Sequence, residues 1–151
     1  MPVNIKIVKD DVLAQVPRGH SAEAAGLDLV GIEKFEIKPG ECALVDTGIK
    51  VQIPAGYAGF VLPRSGMTMK KGLSVLNAPG LIDSDYRGRI KVLLYNTRTT
   101  EQEVAAGDRI AQLVVMKVEV ARFAVTGQLD PSERGDGGFG STDKEATDAN
   151  A

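Results

Sequence analysis

Short runs of alternating apolar and polar residues, broken by glycine- and proline-containing turns about every eight residues, constrain this chain more than any other feature. Residues 35–37, 41–45, 49–53 and 57–62 are such runs, separated by Pro39-Gly40, Thr47-Gly48 and Pro54-Ala-Gly56. A parallel α/β fold would need helical stretches of roughly ten or more residues between strands, and none is present. The spacing therefore predicts an all-β sandwich or barrel. Val3, Ile5 and Ile7 alternate with Asn4 and Lys6 to open the sheet. Residues 89–96 and 107–116 read as two longer strands, the second apolar on both sides, and 121–125 as a last one. The single helical signal is Pro63-Arg-Ser-Gly-Met-Thr-Met-Lys-Lys-Gly72, where Ser65 is expected to cap one or two turns that Gly72 ends.

Composition narrows what such a chain can bind. With 43% hydrophobic residues but only 5% aromatic and no Trp, the core of one domain must come from Val, Ile, Leu and Ala. A net charge of −2 gives no overall attraction to nucleic acid or anionic lipid, so an anionic ligand needs local arginines. The lone Cys42 has no partner for a disulfide or a metal and is expected to be a small buried hydrophobe in a reducing compartment. No apolar run reaches the roughly 18 residues of a membrane span, and the N-terminus lacks a signal-peptide core; the expectation is a soluble, cytoplasmic protein.

Chemistry concentrates in Asn-Ala-Pro-Gly-Leu-Ile-Asp-Ser-Asp-Tyr-Arg-Gly-Arg, residues 77–89, which holds one of only three tyrosines. Pro79-Gly80 suits the centre of a type II turn, folding 73–77 against 81–83 as a hairpin. Asp83 would then leave a strand end on a rigid mount, fit to act as a positioned base, with Asp85 and Tyr86 close behind. The alternative is that Asp83 and Asp85 decorate a surface turn. Asp28, in Ala25-Gly-Leu-Asp-Leu29, is either a turn aspartate or a functional acid. Arg64, Ser65 and Gly66 form either an anion cradle at a helix start or a plain cap. Arg109 and Gln112 lie in an otherwise buried strand and need partners, either structural or phosphate. Arg134-Gly-Asp-Gly-Gly-Phe-Gly-Ser-Thr142 lacks the lysine of a P-loop, but its glycines could wrap a phosphate while Arg134 adds charge and Phe139 stacks on a base.

In order and spacing these stretches resemble the five motifs of trimeric dUTP pyrophosphatases, the dUTPases. The matching segments are Ala25-Gly-Leu-Asp-Leu29, Pro63-Arg-Ser-Gly66, Gly80-Leu-Ile-Asp-Ser-Asp-Tyr-Arg-Gly88, Gly107-Asp-Arg-Ile-Ala-Gln112 and Arg134-Gly-Asp-Gly-Gly-Phe-Gly-Ser-Thr142. The resemblance implies a jelly-roll-like distorted β-barrel over 1–126, a lid arm over 127–142 and a disordered tail over 143–151. It implies a homotrimer with shared active sites and Mg²⁺-dependent hydrolysis of dUTP to dUMP and pyrophosphate, which keeps uracil out of DNA and supplies dUMP for thymidylate synthesis. Asn77 and the backbone of Gly80 and Ile82 would read uracil, Tyr86 would exclude a 2′-hydroxyl, and Asp83 would activate the attacking water. Arg64, Ser65, Gly66 and Gln112 would contact the phosphates, Asp28 would hold Mg²⁺ through water, and Arg109 and Asp85 would play supporting roles. Phe139, Gly140, Ser141, Thr142 and Arg134 would close over the nucleotide. Arg89, where many relatives carry Glu or Gln, lies just past its motif and is expected to matter little; Asp143 stands where Gly is common and is expected to face solvent. A dCTP deaminase on the same fold would want a glutamate near the hairpin, and none occurs over 74–92. A non-catalytic nucleotide sensor would be expected to have lost Asp83 or the lid, and a plain β-barrel would leave Arg64, Arg134 and Phe139 without a purpose.

Overall fold

The computed structural model describes residues 2–139. Its elements are β1 (Lys6–Lys9), β2 (Leu27–Val30), β3 (Phe35–Ile37), β4 (Cys42–Gln52), β5 (Tyr57–Leu62), α1 (Ser65–Lys71), β6 (Leu73–Val75), β7 (Gly80–Ile82), β8 (Arg89–Asn96), β9 (Gln102–Val104) and β10 (Arg109–Lys117). The fold is all-β and jelly-roll-like, with one short helix. One sheet runs β1-β4-β8-β6, the other β2-β10-β5-β7, and β3-β9 forms a small ribbon; all pairings are antiparallel.

Alternation of side chains along these strands builds the core. Val45, Ile49, Ile90, Val92 and Leu94 from the first sheet are buried in one cluster with Leu29, Val61, Ile110 and Leu113 from the second, and with Ile37 and Val104 from the ribbon. Each such side chain stabilises the fold by about 1.5–3 kcal/mol relative to exposure. The buried polar side chains are Asp46, Thr47 and Asn96, and all three are hydrogen-bonded: Asn96, for instance, donates to the Ile37 carbonyl at 2.8 Å.

Several sequence-based expectations are corrected. Residues 41–45 and 49–53 are not two strands but one, β4, and Thr47-Gly48 is a bulge inside it. Asp46 accepts the Gly48 N–H at 2.7 Å and the Thr47 hydroxyl donates to the Ile90 carbonyl at 2.6 Å, so side chains satisfy groups displaced from the ladder. Gly48 has φ 66°, and a Cβ there would meet the Cβ of Asp11 at 2.8 Å. The hairpin across Pro79-Gly80 does not form. β6 pairs with β8 in one sheet and β7 with β5 in the other, so the segment between them carries the chain from sheet to sheet. Ala78–Pro79 is cis, and Gly80 lacks the positive φ of a type II turn because it already belongs to β7.

Ser65 is the first helical residue rather than the cap; Arg64 takes that position, with extended backbone and no side-chain hydrogen bond to the helix end. Gly72 does end the helix, in the left-handed region at φ 61°. Cys42 is exposed, because the phase of β4 that buries Val45 turns Cys42 and Leu44 to the outer face. The polar loop after Asn96 contains a short strand, β9, too brief to show alternation.

The chain divides into two compact units, Met1–Val120 and Ala121–Ala151. All eleven elements belong to the first. In the second, 121–125 is not a strand: its residues are exposed and none pairs with another described strand. The described part of this unit is held by local turns, such as Arg134 Nε donating to the Gly137 carbonyl at 2.8 Å. The expected tail over 143–151 lies outside the described residues. Among the described residues no helix is long and apolar enough to cross a membrane.

Candidate active site

Two separate clefts hold most of the predicted residues of the first unit; Asp85 and Arg109 line neither. One, of about 320 Å³, is lined by Asn77, Gly80, Ile82, Asp83, Tyr86 and Arg89, among others. β7 supplies its floor. As the edge strand of its sheet, paired only with β5, it leaves one row of backbone N–H and C=O groups free for a ligand. Gly80 keeps this floor low, since a Cβ there would lie 3.4 Å from the Asn77 amide nitrogen and 3.3 Å from Val61.

Past β7 the loop turns tightly, with Tyr86 N–H donating to the Asp83 carbonyl at 3.1 Å. Arg87 ties it further by donating to the carbonyls of Ser84 and Tyr86 at 2.7 and 2.8 Å. Tyr86 lies back over the chain, its hydroxyl donating to the Arg89 carbonyl at 3.0 Å. That position requires Gly88: a Cβ there would fall 2.3 Å from the hydroxyl oxygen. Asp83 is exposed, and among the described residues its carboxylate has no hydrogen bond or ion pair. Asp85 is exposed and does not line the cleft.

The other cleft, of about 250 Å³, is lined by His20, Gly26, Asp28, Arg64, Ser65, Gly66 and Gln112, with Ala24 and Ala25. Sheet register assembles it. Asp28 of β2 stands opposite Gln112 of β10, and Gln112 opposite Leu62 of β5, from whose end the chain continues to Arg64. Gln112 donates to the Pro63 carbonyl at 2.9 Å, locking that row. Asp28, with a side chain only 12% exposed, is surrounded by cations and donors. Its Oδ1 takes Arg64 Nε at 2.7 Å, and its Oδ2 lies 2.7 Å from His20 Nε2 and 3.5 Å from an Arg109 nitrogen. Arg109, left open between structural and ligand partners by its sequence, is thus tied to Asp28, while Arg64 also donates to the Arg109 carbonyl at 3.2 Å.

Three participants escape sequence reasoning. His20 is the only histidine in the chain, a signal that is available there. Gly26 and Gly88 make room for other side chains; a Cβ at Gly26 would lie 2.2 Å from the Gln112 amide oxygen, a fit visible only in three dimensions. Among the described residues no three His, Cys, Asp or Glu side chains group so as to hold a metal. The two clefts share no lining residue. Of the predicted arm residues, Arg134 and Phe139 belong to the second unit, where Phe139 is fully exposed with φ 49°. Gly140, Ser141 and Thr142 lie outside the described residues.

Comparison with known proteins gives this arrangement its context. The chain is 47% identical over 148 residues to the deoxyuridine 5′-triphosphate nucleotidohydrolase of Thermobifida fusca, covering 97% of this chain and 83% of that protein. To the same-named protein of Cutibacterium acnes it is 52% identical over 128 residues, covering 84% of each. Among solved structures, the dUTPase of Staphylococcus bacteriophage 80alpha superposes with a TM-score of 0.84 at 25% identity, over 91% of this chain and 97% of that one. The dUTPase family model matches residues 13–143, all but the two ends of the sequence, and the chain belongs to the dUTPase family.

Proposed function

We propose that this chain hydrolyses dUTP to dUMP and pyrophosphate in a site built from both clefts. The observation that carries the reading is a free, exposed carboxylate, Asp83, at the mouth of a cleft of nucleoside size, in a member of this family. Uracil lies on β7, its polar edge read by Asn77 and by the backbone of Gly80 and Ile82. Tyr86, with its hydroxyl engaged by Arg89, presents its ring to the deoxyribose and leaves no space for a 2′-hydroxyl. Asp83 accepts a proton from a water as that water's oxygen bonds to the α-phosphorus; the bond to the bridging oxygen breaks and pyrophosphate departs with its electrons. Asp85 stays a surface neighbour of this loop.

The phosphates belong to the other cleft. Arg64, Ser65, Gly66 and Gln112 contact them and balance charge that moves toward the leaving group. In the free chain Arg64 is neutralised by Asp28, so binding is an exchange: the phosphates take the arginine, and Asp28 would be left free to support a cation. The donors present do not make a protein cage for a metal, but they fit Mg²⁺, which keeps its waters and binds through one or two carboxylates plus substrate phosphates. Asp28 would hold it through water, and the ion would neutralise the triphosphate and draw charge off the α-phosphorus. Arg109 positions Asp28.

Clefts with no residue in common fit a homotrimer in which the Asp83 cleft of one copy meets the Asp28 cleft of another. The 127–142 arm then serves as a lid, with Phe139 on uracil and Arg134, Gly140, Ser141 and Thr142 at the terminal phosphate, excluding bulk water.

The test is to incubate the protein with Mg²⁺ and, separately, dUTP, dCTP, dTTP and UTP, following dUMP, pyrophosphate and ammonia, alongside a chain ending at residue 133. Pyrophosphate from dUTP alone, with the shortened chain trimeric but severely impaired, is the expected result. Ammonia from dCTP would replace this reading with a deaminase, and a fully active shortened chain would remove the lid.

A further inference from the structure

Arg89 is the first residue of β8, immediately after the loop that carries Asp83 and Tyr86; it lines the same cleft, and its guanidinium reaches Asp10 and Asp46. Its Nε lies 2.9 Å from Asp10 Oδ2, one terminal nitrogen donates to the Asp10 carbonyl at 2.6 Å, and the other lies 3.3 Å from Asp46 Oδ2. Both partners are themselves fixed. Asp46 is 8% exposed and its other oxygen holds the bulge at Gly48, whose carbonyl in turn accepts the Asp10 N–H at 2.8 Å. Lys50 adds a second cation to Asp10 at 2.8 Å.

A forked guanidinium holding one carboxylate, one carbonyl and a second carboxylate has little freedom. The backbone of Arg89 inherits that restraint, and its carbonyl is the acceptor for the Tyr86 hydroxyl at 3.0 Å. Across from it the missing Cβ of Gly88 lets the ring settle against the chain. An unbroken series of contacts therefore runs from the β4 bulge and the segment after β1, through Arg89, to the wall of the nucleoside cleft.

We propose that Arg89 is a positioning residue for that cleft: by bridging Asp10 and Asp46 it fixes the carbonyl on which Tyr86 rests, and so sets how closely the Tyr86 ring packs on the sugar. This runs against the expectation that Arg89 matters little, and it rests on the reading of Tyr86 given above. The effect falls on ground-state fit and sugar discrimination rather than on the chemical step, because Asp83 lies at the other end of the loop and does not contact the bridge.

The experiment measures kcat and KM for dUTP and UTP in the full-length protein and in Arg89→Ala, Asp10→Asn, Tyr86→Phe and the Arg89→Ala/Tyr86→Phe double variant. Arg89→Ala is expected to raise KM for dUTP by roughly 3- to 10-fold with kcat within about twofold, and to narrow the preference for dUTP over UTP by a similar factor. Asp10→Asn, which keeps the Asp46 contact, gives a smaller change of the same kind and carries the test if Arg89→Ala does not fold. In the Tyr86→Phe background, where the hydroxyl is absent, Arg89→Ala adds nothing. Wild-type KM and discrimination in the variants overturn the inference, as does an undiminished Arg89→Ala effect in the Tyr86→Phe background. A wild-type protein that does not distinguish dUTP from UTP overturns the reading of the cleft itself, a separate outcome.

Discussion

Asp28 and Asp83 sit at opposite edges of the same four-stranded sheet, one on β2 and the other just past β7, yet their surroundings differ in every respect. Asp28 is largely enclosed and already carries Arg64, His20 and Arg109 on its two oxygens. Asp83 stands in solvent beside an open cleft with no partner among the described residues. A carboxylate wrapped by cations has its oxygens occupied and makes a stable electrostatic support. A free one can accept a proton from water without first breaking an ion pair. One sheet thus offers an ion-paired carboxylate at one edge and an unpaired one, the proposed base, at the other.

The largest expected effect tests that division. Asp83→Asn removes the proposed proton acceptor and changes little else, since its carboxylate ties no other described residue in place. Turnover should fall by about 10²–10⁴-fold. Calorimetry with a non-hydrolysable dUTP analogue should find the dissociation constant within about threefold of wild type. Retained turnover would move the base elsewhere and erase the contrast with Asp28.

Asp28→Asn comes next, and its signature differs in kind. The Mg²⁺ concentration for half-maximal activity should rise about tenfold, the scale on which supporting groups tune metal affinity. Because Arg64 loses its carboxylate partner, dUTP should bind in the presence of chelator no more weakly than to wild type. Loss of chelator-insensitive binding would show instead that Asp28 holds Arg64 in place for the phosphates, and the exchange of partners would be wrong.

Local signals and long-range ones are not equally legible. The turn rhythm suffices for an all-β chain, and Gly72 marks the helix end because a left-handed cap is a property of one residue. Thr47-Gly48 misleads for the same reason: bulge and turn require the same residues, and only the Asp46 and Ile90 partners, one two residues away and the other more than forty, distinguish them. Pro79-Gly80 reads as a hairpin because proximity in sequence suggests pairing, whereas β6 and β7 each find better partners in different sheets. Most site residues of the first unit fall into two clefts, a division the motifs do not announce because it follows from register across four strands. His20 and Arg89 are missed or discounted because what ties them to the clefts is contact with Asp28, Asp10 and Asp46, which no local pattern encodes.

The smallest effect separates the acids of the site from those of the scaffold. Asp10 is held below the usual carboxylate range by its hydrogen bonds to Lys50 and then Arg89. Burial pushes Asp108 upward, but the Ala105 N–H at 3.1 Å and the Lys71 ammonium at 3.0 Å together outweigh it, and the net direction is also down. A carboxylate whose folded value is depressed adds stability that is present above its unfolded value, about 3.9, and is lost as pH falls through the folded one. Melting temperature should therefore drop as pH is lowered from about 5 to 3. An Asp10→Asn/Asp108→Asn variant should melt lower than wild type at pH 7 yet lose less over that acid interval, by a few degrees at most for such exposed pairs. Equal slopes in thermal melts of the two proteins would mean that neither ion pair steadies the fold, and the restraint on Arg89 would then have to come from Asp46 and the Asp10 carbonyl.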